Sequence, residues 1–235
     1  MKRTADNLPV KSNNVDSFLK KVQQVKSMSA YGKPSGRLEF IIDATASRQP
    51  TWNHACSIQS SMFKAVEETG SLAVQLIYFR GLSDLNVSPW NSDSKALQRE
   101  MSDVICMAGQ TQIERSLYQV LLETRSTQVA AVIYIGDACE EPTKKIYSIA
   151  GELGLQKTPV FMFQEHDDPE VETTYKEIAR LSRGAYCRFD INSPGILKEL
   201  LSAVAIYAAV GKQALNIFSK NGTAQLQEMT RQLLR

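Results

Sequence analysis

Apolar runs alternate along the chain with stretches whose apolar residues recur every third or fourth position. RLEFIIDA, SLAVQLIYFRG, QVAAVIYIGDACEE, TPVFMFQE and AYCRFD have the strand pattern. The second, from Leu72 to Phe79, is almost continuously apolar, as is the third; such strands are buried on both faces of a sheet. GLSDLNVSPW reads as a short edge strand, because Pro89 limits its pairing. Between them the period is helical. PTWNHACSIQSSMFKAVEETG carries an inward stripe of Ile58, Met62, Ala65 and Val66, with Gly70 where a C-terminal cap belongs. SKALQREMSDVI and VETTYKEIARLSRG are helical, and IERSLYQVLLETR places Ile113, Leu117, Val120 and Leu121 on one face. PTKKIYSIAGELG has Pro142 at a position that suits a first turn. SPGILKELLSAVAIYAAVGKQAL predicts one long, mostly buried helix.

Strands that alternate with helices call for an α/β fold: a doubly wound, mostly parallel, Rossmann-like sheet with helices on both faces. The short edge strand is open to antiparallel pairing. In such sheets the working site lies outside the carboxyl ends of the strands, where neighbouring crossovers diverge. Residues 1–34 form a polar tail, with a short helix expected at VDSFLKKVQQVKSM from the spacing of Val15, Phe18, Val22 and Val25. The break at Pro34-Ser35-Gly36 opens a domain over residues 35–215. A C-terminal amphipathic helix, QLQEMTRQLLR, is expected within residues 216–235, after the polar SKNG.

Composition narrows the function. The chain has 235 residues, 43% of them hydrophobic, enough for one well-filled core. A net charge of +2 is too mild for a nucleic-acid binder with a concentrated basic face. The four cysteines are scattered with no CxxC, which argues against a zinc site or redox dithiol and for free thiols in a reducing compartment. MKRTADNLPVKSNN has no apolar stretch behind its basic residues, so it is not a secretory signal. LLSAVAIYAAVG is too short to span a bilayer. A cytoplasmic location is expected. No GxGxxG follows a strand, and GxxxxGK[ST] and GxSxG are missing.

What remains is a set of oxygens. Two apolar strands end abruptly at Asp43 and Asp137, so both carboxylates should emerge at one sheet edge. Thr45 and Ser47 follow Asp43 at alternate positions, which would aim all three side chains at one place if that loop is extended. The loop AGQTQI precedes a helix that can pack near the same edge, and Thr111 is its natural contributor. Two carboxylates and three hydroxyls, with no His or Cys, select a hard cation such as Mg²⁺ or Mn²⁺. Each residue also has an ordinary reading, since Asp, Thr and Ser cap helices and make turns. Arg48, Trp52 and Glu140 are candidates for a partner-binding rim. Arg48 could equally pair with Asp43, Trp52 pack on the sheet edge, and Glu140 belong to a charged first helical turn. His54 has no companion histidine at ligand spacing.

Asp43-Ala44-Thr45-Ala46-Ser47, then Thr111, then Asp137 resembles the metal-ion-dependent adhesion site (MIDAS) of von Willebrand factor A-type domains. The resemblance extends from about Arg37 to Leu215, element order included. Thr45 stands where the family usually has serine, and Gly136 and Ala138 flank Asp137 where Thr-Asp-Gly is frequent. The resemblance implies direct coordination by Thr45, Ser47 and Thr111, with Asp43 and Asp137 acting through waters. It implies that the partner is a protein presenting an acidic side chain, and that the chain is a non-enzymatic, bacterial binding module. A Mg²⁺-dependent phosphatase with Asp43 as nucleophile is the alternative. That chemistry usually wants a second acid two residues on, where this chain has Thr45. A structural domain with a vestigial metal site is the third reading.

Overall fold

A computed structural model of the protein describes residues 35–66, 71–190 and 193–234. The helix expected at 15–28 and the cap at Gly70 lie outside them. Six strands form one sheet: β1 (Ser35–Asp43), β2 (Ser71–Arg80), β3 (Asp84–Val87), β4 (Ala131–Gly136), β5 (Val160–Glu165) and β6 (Ala185–Phe189). Their spatial order is β3-β2-β1-β4-β5-β6. All neighbours pair in parallel except β3, which runs antiparallel to β2 at the edge. The helices are α1 (Gln49–Ile58), α2 (Ser60–Val66), α3 (Ser94–Ser102), α4 (Ile113–Ser126), α5 (Thr143–Leu155), α6 (Pro169–Leu181), α7 (Pro194–Val210), α8 (Lys212–Ser219) and α9 (Ala224–Leu234). Among the described residues no helix is long and apolar enough to cross a membrane.

Alternation along β1 divides the core into two layers. Leu38, Phe40 and Ile42 face a cluster with Met62 of α2, Leu97 of α3, Leu200 and Val204 of α7, and Leu226 and Met229 of α9. Ile41 faces the other way, with Leu117 and Val120 of α4, Ile146 of α5 and Tyr175 of α6. The connection from β1 to β2 therefore packs on one face and that from β4 to β5 on the other. The β1/β4 boundary is the point of divergence, and a doubly wound sheet opens a crevice there.

Two helices end sooner than their patterns suggest. A turn at Gln59 separates α1 from α2. The long C-terminal helix stops at Gly211, whose φ of +99° lies outside helical geometry, and α8 starts afresh. Gly109 serves a close approach: a Cβ there would sit 2.0 Å from the carbonyl oxygen of Gly81. Gln110 N–H donates to that same oxygen at 3.1 Å, fastening the loop before α4 to the β2–β3 turn.

An acid also sits in the middle of β1. Glu39, on the Ile41 face of β1, is 0% exposed. Neither of its carboxylate oxygens has a hydrogen-bond partner among the described residues, and neither does Oε1 of Gln75, beside it in register. Burial, reinforced by the Glu123 carboxylate and opposed by Arg37, pushes the Glu39 pKa from 4.5 to about 8. The folded protein thus keeps a proton that the unfolded chain has already released. Stability accordingly falls as pH rises from 4.5 towards 8.

Two outcomes follow. Glu39→Gln should raise stability at alkaline pH by on the order of a few kcal/mol and flatten its fall with pH, measured by urea denaturation across that window. An unchanged slope would contradict a buried, proton-bearing Glu39. Gly109→Ala should lower stability by about 1–3 kcal/mol, the usual cost of overpacking, because the obstructing atoms are backbone. A neutral effect in the same assay would contradict the close approach.

Candidate metal centre

β1 ends at Asp43, whose side chain is 0% exposed. Its Oδ1 accepts the backbone N–H of Thr45 at 2.7 Å. Its Oδ2 is buried with no hydrogen-bond partner among the described residues. Burial raises the Asp43 pKa from 3.8 to about 6; the Thr45 hydrogen bonds and Arg48 pull it down, and Asp137 pushes it up. This carboxylate lacks a counter-charge of its own.

The loop after Asp43 is not extended throughout. Thr45 is extended, with φ −70° and ψ 162°, and Ala46–Arg48 then form a 3-10 turn. The hydroxyls meet nonetheless. Thr45 Oγ1 lies 3.5 Å from Ser47 Oγ, which donates to Asp137 Oδ2 at 3.4 Å. Asp137 directly follows β4. Tyr175 Oη donates to the carbonyl of Ala138 at 2.8 Å and holds the turn there. Gly136 has no room for a side chain, because a Cβ would meet Tyr175 Oη at 2.7 Å and the Tyr134 ring at 2.8 Å. That packing accounts for glycine before Asp137.

Thr111 reaches the site from the loop before α4. Its Oγ1 accepts Glu140 N–H at 3.0 Å, and its own N–H donates to Glu140 Oε2 at 3.0 Å. Glu141 caps the start of α4, accepting Ile113 N–H at 2.5 Å and Glu114 N–H at 3.0 Å. Asp43, Thr45, Ser47, Thr111, Asp137 and Glu140 line one pocket of about 250 Å³. Among the described residues no three His, Cys, Asp or Glu side chains group as a metal site, so an ion here would depend on the hydroxyls. The orphaned Asp43 oxygen and this all-oxygen lining fit a hard divalent cation.

The expected rim needs correction at two of its three positions. Trp52 is 1% exposed; its Nε1–H donates to Met101 O at 2.9 Å, and its ring stands edge-on to Tyr78 at 5.6 Å. A side chain so enclosed makes no partner contact. Arg48 is also 1% exposed, because the 3-10 turn directs it inward. It pairs with Glu165 and lies 3.8 Å from Asp137, instead of pairing with Asp43. Glu140 is exposed, although its carboxylate is committed to Thr111. Exposed large apolar residues on the loops around Gly81 and Gly109 include Leu82, Ile105 and Met107. Met107 N–H donates to Ala44 O at 3.0 Å, and Arg80 donates to Ile105 O at 2.9 Å.

Sequence reasoning also passed over Glu165. It ends β5 and is 3% exposed. The signal was available: VFMFQE is a third apolar run that stops at an acid.

In sequence, no family model and no curated protein matches the chain. Solved structures do match in fold. The von Willebrand factor A domain of SpRpn10 aligns at a TM-score of 0.53 and 11% identity, over 75% of this chain and 97% of that one. Manganese-loaded TRAP protein of Plasmodium vivax aligns at 0.51 and 14%, over 72% and 73%. Proximal thread matrix protein 1 of the mussel byssus, with a zinc-occupied MIDAS motif, aligns at 0.57 and 13%, over 74% and 46%. This chain therefore spans about half the length of the mussel protein. The sheet order, the single antiparallel edge strand and these alignments agree: the chain adopts the von Willebrand factor A-type fold.

Proposed function

We propose that the chain is a non-enzymatic protein-binding module that works through a divalent cation, Mg²⁺ or Mn²⁺. Thr45, Ser47 and Thr111 would hold the ion directly, with Asp43 and Asp137 behind them. The observation that carries this reading is Asp43: a buried carboxylate with one oxygen unpartnered among the described residues, lining a pocket with three hydroxyls and a second carboxylate. A cation there would supply the charge this carboxylate lacks. Its mostly neutral direct ligands would leave positive potential for an acidic side chain on a partner protein. Fold neighbours solved with zinc or manganese support a divalent ion of this kind. Leu82, Ile105 and Met107 would add apolar contact around the carboxylate, where hot spots of binding form.

A bacterial, cytoplasmic setting belongs to the same proposal, and the four free thiols fit its reducing compartment. Phosphatase chemistry is the weaker account. Asp43 is enclosed where a nucleophile must reach its substrate, and Thr45 stands where the leaving group would need an acid.

Thermal or chemical denaturation with Mg²⁺ or Mn²⁺, against EDTA, tests the reading. At a hundredfold excess over Kd, wild type should gain about 3 kcal/mol. Asp43→Ala should lose that gain, whatever its stability without metal. A wild type indifferent to metal would overturn the proposal. Turnover of a phosphate ester that is lost in Asp43→Ala would favour the enzyme instead.

A further inference from the structure

Arg48 is the one arginine among the largest fully buried side chains, and its surroundings are asymmetric. One arm is anchored: NH1 donates to Glu165 Oε2, which also accepts from Thr51 Oγ1. The other side is not. Nε lies 3.8 Å from Asp137 Oδ1, within ion-pair range but beyond a hydrogen bond. Neither Nε nor NH2 has an acceptor among the described residues. A buried guanidinium normally satisfies its planar fork of donors. Here it is held back by Glu165 with its charge still close to Asp137, which lines the candidate cation pocket.

We propose that Arg48 is a built-in counter-cation of this pocket, competing with an incoming divalent ion for Asp137 and thereby setting the affinity of the site. The proposal rests on the divalent reading given above. Two cations that share one carboxylate repel each other, most strongly where water is excluded. Glu165 moderates the competition, because it pulls the guanidinium away from Asp137. Arg48 is thus a positioning and specificity-determining residue that acts through Asp137. The site admits a cation only against this internal charge, so an arriving carboxylate adds much of the favourable energy. Cation and acidic partner would then bind cooperatively.

The test is titration calorimetry with Mn²⁺ alone on three proteins: wild type, Glu165→Gln, and the double variant Arg48→Met/Glu165→Gln. Arg48→Met alone would leave Glu165 buried without its partner, and such a protein can fail to fold. The double variant removes both charges together. Glu165→Gln keeps a carbonyl oxygen that can accept from Arg48, but it should bind Mn²⁺ more weakly than wild type, since Asp137 is then the one carboxylate within ion-pair range of the guanidinium among the described residues. The double variant should bind about tenfold more tightly than wild type. These opposite signs exclude a merely structural role, which would weaken binding in both. Equal or weaker binding in the double variant overturns the counter-cation. No Mn²⁺ binding in either wild type or the double variant overturns the divalent reading and this inference with it.

Discussion

Three neighbouring strand ends each deliver a carboxylate to one edge of the sheet, and the buried Arg48 faces them. Asp43 closes β1, Asp137 follows β4 and Glu165 closes β5, while Arg48 sits between the last two. Like charges withdrawn from water raise one another's energy unless something balances them. Glu165 has its balance in Arg48 and Thr51. Asp137 shares the edge of that charge. Asp43 Oδ1 accepts the Thr45 N–H, but Oδ2 has no partner among the described residues, and burial outweighs Thr45 and Arg48 in raising its pKa. Much of the surrounding structure keeps this imbalance in place.

The backbone does so by close approach. Gly109 lies against Gly81, so the loop that carries Thr111 is tied to the turn between β2 and β3. Glu140 and Thr111 exchange hydrogen bonds and join that loop to the one that follows β4. Tyr175 reaches from α6 to the carbonyl of Ala138. Elements on both sides of the β1/β4 boundary thus fix the pocket, while extended Thr45 and the first residues of the 3-10 turn, Ala46 and Ser47, stay accessible. Rigid placement suits a binding site whose affinity depends on preorganised oxygens.

Much of this architecture was legible in the sequence. Apolar runs such as Leu72 to Phe79 and Ala131 to Ile135 are too uniform for surface strands, and Pro89 marked the edge. The five oxygen-bearing positions could be pooled because a doubly wound sheet brings alternate strand ends together. Burial of individual residues just after β1 was not legible. Arg48 closes the 3-10 turn and is buried there, while Trp52 lies on the buried side of α1. Their enclosure is decided by Met101, Tyr78 and Glu165, all distant in sequence. Glu39 was hidden differently: one acid in an apolar strand gives no hint that its carboxylate lacks partners among the described residues. The stop of α7 at Gly211 shows how one backbone dihedral overrides an unbroken apolar pattern.

The central claim is that the oxygens of Thr45, Ser47, Thr111, Asp43 and Asp137 form one cation site. Crystals grown or soaked with Mn²⁺, with data collected at its absorption edge, would locate the ion directly by anomalous scattering. The account predicts one strong peak in the pocket between Ser47, Thr111 and Asp137, with hydroxyl oxygens at about 2.0–2.2 Å, as in small octahedral cation sites. A peak elsewhere on the molecule, or none in that pocket, would contradict it.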